Sequence, residues 1–141
     1  MKVDLHCHSH FSDGKHSPDF LIDRALANNV THLALTDHDC TNVHLNLKIV
    51  QGITVIKGVE ISCGWQNQEL HVVGLSINPQ NTQLEKLLSC QQEKRRQRVR
   101  EINEKLVNIG IQGLLEYMLD LSAAAQTRSH VADFLIQQKF C

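Results

Sequence analysis

The chain has 141 residues, the length of one domain, and its 42% hydrophobic and 21% charged residues are ordinary for a globular protein with a buried core. A formal net charge of −1 gives no reason, by itself, to expect a nucleic-acid or membrane surface. No signal peptide or membrane-spanning run is found, and five cysteines without paired spacing do not indicate a disulfide framework. We therefore expect a cytoplasmic protein with no membrane partner.

Strand and helix patterns alternate through the first 80 residues. A strand over 2–6 precedes a helix over about 18–29, which Ser17 and Pro18 open as N-cap and first helical residue. The pattern continues with a strand over 31–36, a helix over about 41–50, and β-rich runs over 53–61 and 70–77. Strands that alternate with helices indicate βα units, so we expect an α/β fold with parallel strands covered by helices.

The second part of the chain is predicted to be helical. A long, highly charged helix is expected over about 81–109, followed by helices over about 113–124 and 129–139. We therefore predict N-terminal β/α units over 1–80 and a helical segment of the same domain over 81–141.

Metal-ligand side chains recur at the ends of the predicted strands. They are His6 and His8 after the first strand, His38 after the second, Glu60 in the third and His71 in the fourth, with Asp13 in a Gly-containing turn. Side chains at the carboxyl ends of neighbouring parallel strands converge. One such histidine alone is more often a surface or core residue, but six suitable groups favour a site for Zn²⁺, Mn²⁺ or Fe²⁺. Asp4, Asp37 and Asp39 are candidates to orient a ligating imidazole.

Two basic segments are candidates for phosphate binding. Arg95 and Arg98 lie three residues apart on one side of the long helix, although a basic run of this kind is more often a solvated helix face than a nucleic-acid surface. Arg128 and His130 stand at the start of the last predicted helix, where an anion is favoured by the helix N-terminus.

At these residues a family resemblance becomes specific. The segments 4–9 (DLHCHS), 11–14 (FSDG), 35–39 (LTDHD), 58–61 (GVEI) and 71–74 (HVVG) resemble the successive motifs of the PHP family, named after polymerase and histidinol phosphatase. The helix ending in 105–110 (KLVNIG) and the segment 127–132 (TRSHVA) most resemble phosphoesterases of the nucleoside 3′,5′-bisphosphate phosphatase and 5′-to-3′ exoribonuclease (ribonuclease AM) type.

The resemblance implies a distorted (β/α)7 barrel with two or three divalent metals (Mn, Zn or Fe) at the strand ends. It places the metal ligands at His6, His8, Asp13, His38, Glu60 and His71, and the attacking hydroxide on metals held by His6, His8, Asp13 and Glu60. It implies that Arg128 and His130 hold the phosphate of a nucleotide or short oligoribonucleotide substrate.

The resemblance covers this chain but only the N-terminal half of the family's domain. The family's later Ala-His-Pro-type and terminal Asp-x-His-type segments are not found, so we expect a fragment, a truncated gene product or a shortened version. One alternative is a catalytically incomplete, metal-binding half-barrel whose open sheet edge is covered by self-association. Another is a histidinol-phosphatase-like amino-acid phosphate hydrolase.

Overall fold

Four strands form one mixed sheet at the centre of the structure, a computed structural model that describes residues 1–140. The strands are β1 (Val3–Cys7), β2 (His32–Leu35), β3 (Thr54–Trp65) and β4 (Gln68–Leu75), and they lie in the order β1-β2-β3-β4. The first three are parallel, as predicted, whereas β4 runs antiparallel to β3. Only residues 66 and 67 separate these two strands, and both have positive φ, as in the tight turns of antiparallel hairpins. A parallel connection needs about a dozen residues or more.

Within residues 1–140, four α-helices accompany the sheet: α1 (Pro18–Ala27), α2 (Thr82–Asn108), α3 (Leu114–Asp120) and α4 (Arg128–Gln137). Helix α1 begins where the sequence predicts, with the Ser17 hydroxyl accepting a hydrogen bond from the amide of Phe20 at 3.3 Å. Ile22 of α1 packs with Leu33 and Leu35 of β2 in one apolar core. A second apolar core joins Val99 of α2 to Leu114, Met118, Val131 and Phe134 of the two short helices.

One predicted helix does not form. The segment expected to be helical over 41–50 contains only a 3₁₀ turn, Asn42–His44. The His44 side chain turns inward, and its Nε2 lies 2.7 Å from the carbonyl oxygen of Gly58 in β3. This tertiary contact ties the segment to the sheet and outweighs a weak local helix preference. Helix α3 also ends earlier than predicted, at Asp120. Within residues 1–140, no helix has the length and apolar character that crossing a bilayer requires.

Candidate metal centre

The carboxyl end of the parallel sheet brings the predicted ligands together. Beyond the end of β2, an isolated parallel bridge pairs His38 with Glu60. The Glu60 amide donates to the carbonyl of Asp37 at 3.2 Å, and the Asp39 amide donates to the carbonyl of Glu60 at 2.9 Å. This short continuation of the ladder holds the His38 and Glu60 side chains next to each other, while the end of β1 supplies His6 and His8.

The Glu60 carboxylate lies at the centre of four imidazoles. Its Oε2 atom is 2.8 Å from Nε2 of His8 and 3.2 Å from both Nε2 of His6 and Nδ1 of His38. Its Oε1 atom is 3.0 Å from Nδ1 of His71. Glu60 itself is only 4% exposed, whereas the side chains of His6 and His71 are open to solvent at the rim. One buried carboxylate thus connects ligands from all four strands or their ends.

Asp13 approaches the same cluster from the loop that follows β1. Its Oδ1 lies 2.8 Å from Nδ1 of His8, and its Oδ2 lies 3.6 Å from Nε2 of His38. Gly14 makes this loop geometry possible, because a Cβ atom there would collide with the His8 carbonyl and lie 2.9 Å from the backbone carbon of Ser9. All six predicted ligand residues therefore meet in one cluster.

The donor atoms suit divalent metal ions. Three overlapping groups each keep one donor atom per residue within 4.8 Å: His6, His8 and Glu60; His8, Asp13 and His38; His38, Glu60 and His71. Glu60 Oε2 and His38 Nδ1 are buried and lie 3.2 Å apart, yet within residues 1–140 no contact at either atom has the geometry of a hydrogen bond. Buried polar atoms are nearly always satisfied, so these two atoms fit a cation as the missing partner. Mixed imidazole and carboxylate donors suit Zn²⁺, Mn²⁺ or Fe²⁺.

The charges in the cluster favour the ionised form of the carboxylates, which is the form that binds a metal. The hydrogen bond from His8 lowers the pKa of Asp13 to about 2. Burial raises the pKa of Glu60, but the adjacent imidazoles, His38 first, outweigh burial and leave it below its ordinary value. Burial lowers the pKa of His38, which favours the neutral imidazole that a metal requires. Burial also lowers the pKa of His8, but the neighbouring carboxylates, Asp13 first, raise it above its ordinary value.

Three carboxylates expected to orient imidazoles have other partners in the structure. Asp37 is fully buried and accepts hydrogen bonds from the amide of Ser9 at 2.8 Å and from the hydroxyls of Ser9 and Ser12 at 2.6 Å each. Asp39 binds Arg95, and Asp4 accepts a 3.4 Å bond from the amide of His6. Asp37 therefore orders the loop that carries Asp13 rather than a ligand ring.

Two of the four predicted phosphate-binding residues are buried and hydrogen-bonded to other protein groups. Arg95 is 5% exposed, and its guanidinium donates to Oδ2 of Asp39 at 2.7 Å and to the Ser62 hydroxyl at 2.8 Å. His130 is also buried, and its Nδ1 accepts the Thr127 amide at 3.1 Å as a cap of α4. Arg95 faces inward because a distant segment supplies its polar partner, whereas His130 is held by the capping turn at the start of its own helix.

Arg98 and Arg128 remain accessible and share a partner that the sequence analysis missed. Both arginines contact the carboxylate of Glu69 in β4, at 3.4 Å and 3.0 Å respectively. The hydrogen bond from Arg128 lowers the pKa of Glu69. Strand alternation could have identified this residue, because Glu69 and His71 are two positions apart and share a face. Ser129 was also missed; its hydroxyl lies 3.4 Å from Oδ2 of Asp13.

Comparison with known protein families identifies the fold around this cluster. The model of the PHP domain matches residues 4–140. The chain belongs to the PHP domain family. This confirms the resemblance seen in the sequence motifs at the strand ends.

Named relatives include nucleic-acid and nucleotide enzymes. A 5′-3′ exoribonuclease of Haemophilus influenzae is 40% identical over 140 residues, covering 96% of this chain and 51% of the relative. A 3′,5′-nucleoside bisphosphate phosphatase of Chromobacterium violaceum is 39% identical over 117 residues, covering 81% of this chain and 41% of the relative. The chain thus spans about half the length of the curated relatives it matches.

Solved structures agree with the architecture over the whole chain. An amidohydrolase from Chromobacterium violaceum, determined with bound sulfate and no metal, matches all of this chain and 51% of its own, with a TM-score of 0.86 and 34% identity. A chain from Bifidobacterium adolescentis matches with a TM-score of 0.84 at 21% identity, which speaks to the fold alone. The predicted α/β fold, the N-terminal portion of a PHP barrel, is confirmed.

Proposed function

We propose that this chain provides the principal metal-binding half of a metal-dependent phosphoesterase that hydrolyses phosphate esters of nucleotides or short RNA. The observation that carries the proposal is the Glu60 carboxylate within 2.8 to 3.2 Å of four imidazoles, with Asp13 against two of them. The names of the relatives, an exoribonuclease and a bisphosphate phosphatase, support nucleotide phosphates as the substrate class.

The six clustered side chains would hold two or three divalent ions in a complete domain, with Mn, Zn or Fe as the metals that fit the donors. Bound ions of this kind lower the pKa of water and neutralise charge on a phosphoryl group. Glu60 lies where it can contact more than one ion, because its two oxygens face different imidazoles. Ser9 and Ser12, held by Asp37, keep the Asp13 loop in place.

Arg98 and Arg128 are the residues that we propose contact substrate phosphate. Both guanidinium groups are accessible and converge near His71 through Glu69. Arginine forms paired hydrogen bonds with phosphate oxygens and stays charged at every relevant pH. Arg95 and His130, which are buried and paired, act instead by positioning α2 and α4 around the cluster.

A second candidate function is metal binding without turnover. The chain spans about half of its relatives, and the exposed side chains of Val3 and Leu5 lie on β1, an edge strand of the sheet. An open edge with apolar neighbours favours pairing with another chain, so this candidate includes self-association.

Two expectations stay predictions. They are the division into β/α units over 1–80 and a helical segment over 81–141, and the cytoplasmic location.

The test is hydrolysis of a 3′,5′-bisphosphonucleoside by the Mn²⁺-loaded chain and its variants. We expect His38→Ala to reduce phosphate release by more than roughly 100-fold, since loss of even an outer contact to a metal ligand costs 10- to 100-fold. His32→Ala is the matched control, because His32 is the first residue of β2, at the end of the strand away from His38. If the unsubstituted chain releases phosphate and His38→Ala releases it equally fast, the assignment is refuted.

Two further outcomes separate the alternatives. A metal-loaded chain that releases no phosphate favours the non-catalytic half-barrel. Faster hydrolysis of histidinol phosphate than of the bisphosphonucleoside, in a competition assay, favours the amino-acid phosphate hydrolase.

A further inference from the structure

We propose that Glu69 is a built-in counter-anion of the substrate site: its carboxylate takes the place between Arg98 and Arg128 that a phosphate group of the substrate occupies, and a bound phosphoester displaces it. The inference rests on the proposed function, because it names how that same site selects its anion.

Glu69 is placed on the functional face of the sheet by strand geometry. It lies in β4 two residues before His71, so both side chains project to the same side. Oε1 of Glu69 is 3.7 Å from Nε2 of His71, whose other nitrogen contacts Glu60. The Glu69 carboxylate therefore borders the metal-ligand cluster directly.

Two arginines from different helices converge on this one carboxylate. Nη2 of Arg98, in α2, lies 3.4 Å from Oε1, and Nη1 of Arg128, the first residue of α4, lies 3.0 Å from Oε2. Each carboxylate oxygen thus faces its own guanidinium, as two oxygens of a phosphate group would. Without the Glu69 charge, the two guanidinium groups would form an anion site beside His71.

A cavity of about 340 Å³ borders the Arg98 side of this carboxylate and gives a ligand access to it there. It is lined by Glu69 and by three cations of α2: Lys94, Arg95 and Arg98. Asp39 neutralises Arg95, whereas Lys94 has no ion-pair partner within residues 1–140. The cavity is therefore positive on balance, and its volume lies in the range of small-molecule sites.

The exposure of the ion pairs makes displacement feasible. The side chains of Glu69 and Arg98 are 35% and 32% exposed, and that of Arg128 is 64% exposed. Ion pairs at such exposure are weak, so a ligand loses little by breaking them. A phosphate dianion carries more charge than a carboxylate and offers more acceptor oxygens, so it replaces Glu69, whereas weaker monoanions do not. Glu69 thus acts as a specificity-determining residue.

The test measures phosphate binding rather than turnover. Inorganic phosphate is titrated calorimetrically into the chelator-treated 141-residue chain, so that phosphate cannot bind through added metals. Glu69→Gln keeps the size of the side chain and removes the competing charge. We expect the Kd for phosphate to fall roughly 3- to 10-fold, which corresponds to the loss of one or two exposed ion pairs.

Glu93→Gln is the matched control. Glu93 also contacts two arginines, Arg96 at 2.8 Å and Arg100 at 3.2 Å, but all three lie along α2 in solvent. We expect Glu93→Gln to leave the phosphate Kd unchanged. Adding Arg128→Met to Glu69→Gln should abolish the gain, because it removes half of the proposed anion site.

The proposal is overturned if Glu69→Gln binds phosphate no more tightly than the unsubstituted chain, or if Glu93→Gln gains as much. This outcome is independent of the proposed function. Failure of His38→Ala to affect hydrolysis would refute the phosphoesterase while leaving a tighter phosphate Kd of Glu69→Gln in place.

Discussion

Nε of Arg95 donates a 2.7 Å hydrogen bond to Oδ2 of Asp39, and both side chains are buried. The same guanidinium reaches the Ser62 hydroxyl in β3, and the neighbouring Gln92 donates to the Asp39 carbonyl at 2.9 Å. Helix α2 is thereby anchored to the loop that carries His38. Asp39 itself has a φ of +46°, a backbone conformation that residues other than glycine seldom adopt.

Loss of the Arg95 charge should destabilise the protein strongly. Arg95→Met leaves Asp39 buried without its partner, and breaking a buried ion pair in this way costs about 3–5 kcal/mol. The exposed Arg96, paired with Glu93 at 2.8 Å, offers the matched control Arg96→Met, which should cost about 0–1 kcal/mol. Urea unfolding followed by circular dichroism measures both. Equal losses of unfolding free energy would mean that the Arg95 pair contributes no more than a surface contact.

The loop after β1 should not tolerate a side chain at Gly14. In Gly14→Ala the new methyl group collides with the His8 carbonyl and must displace the loop that presents Asp13. Overpacking of this kind costs about 1–3 kcal/mol, and we expect weaker Mn²⁺ binding as well. Gly64→Ala is the control, because a Cβ there has no atom within 4 Å. If Gly14→Ala matches Gly64→Ala in thermal unfolding and in Mn²⁺ titration, the loop geometry is not required.

Metal binding should stabilise the fold through Glu60. Mn²⁺ at about 100 times its Kd should raise the free energy of unfolding by about 2.7 kcal/mol, because the unfolded chain does not assemble the cluster. Glu60→Gln removes the shared carboxylate and should abolish most of this gain. Glu104→Gln, at an exposed position of α2, should retain it. Undiminished stabilisation of Glu60→Gln by Mn²⁺ would contradict the central position of this residue.

Stability should fall in mild acid because of His44. Burial lowers the pKa of His44 below its ordinary value of 6.5. As the pH falls through that value, the unfolded chain takes up the proton first, and stability is lost until the folded pKa is passed. His44→Gln removes the titrating ring but keeps an N–H donor for the Gly58 carbonyl. Urea unfolding at about pH 7 and about pH 5 should show a smaller loss for the variant. An equal loss would show that His44 does not drive this dependence.

The sequence predicted those parts of the fold and of the site that depend on local structure. Ser17 and Pro18 mark the start of α1 through their own capping chemistry. His6, His8, His38, Glu60 and His71 could be grouped because a strand end is a local feature and parallel strands bring their ends to one edge. The helix expected over 41–50 does not form, because His44 contacts Gly58, and that residue lies outside the stretch of sequence from which the helix was predicted.

The amino-acid sequence by itself determined which side chains are available for metal and phosphate chemistry and near which strand ends they stand. Only the tertiary structure decided which of them stay available. Arg95 and Arg98 look equivalent on one helix. Arg95, however, is buried in an ion pair with Asp39, 56 residues away, whereas Arg98 remains accessible beside Glu69. The physical reason is that the burial and pairing of a side chain depend on which distant segments pack against it. Composition and periodicity do not specify which segments those are.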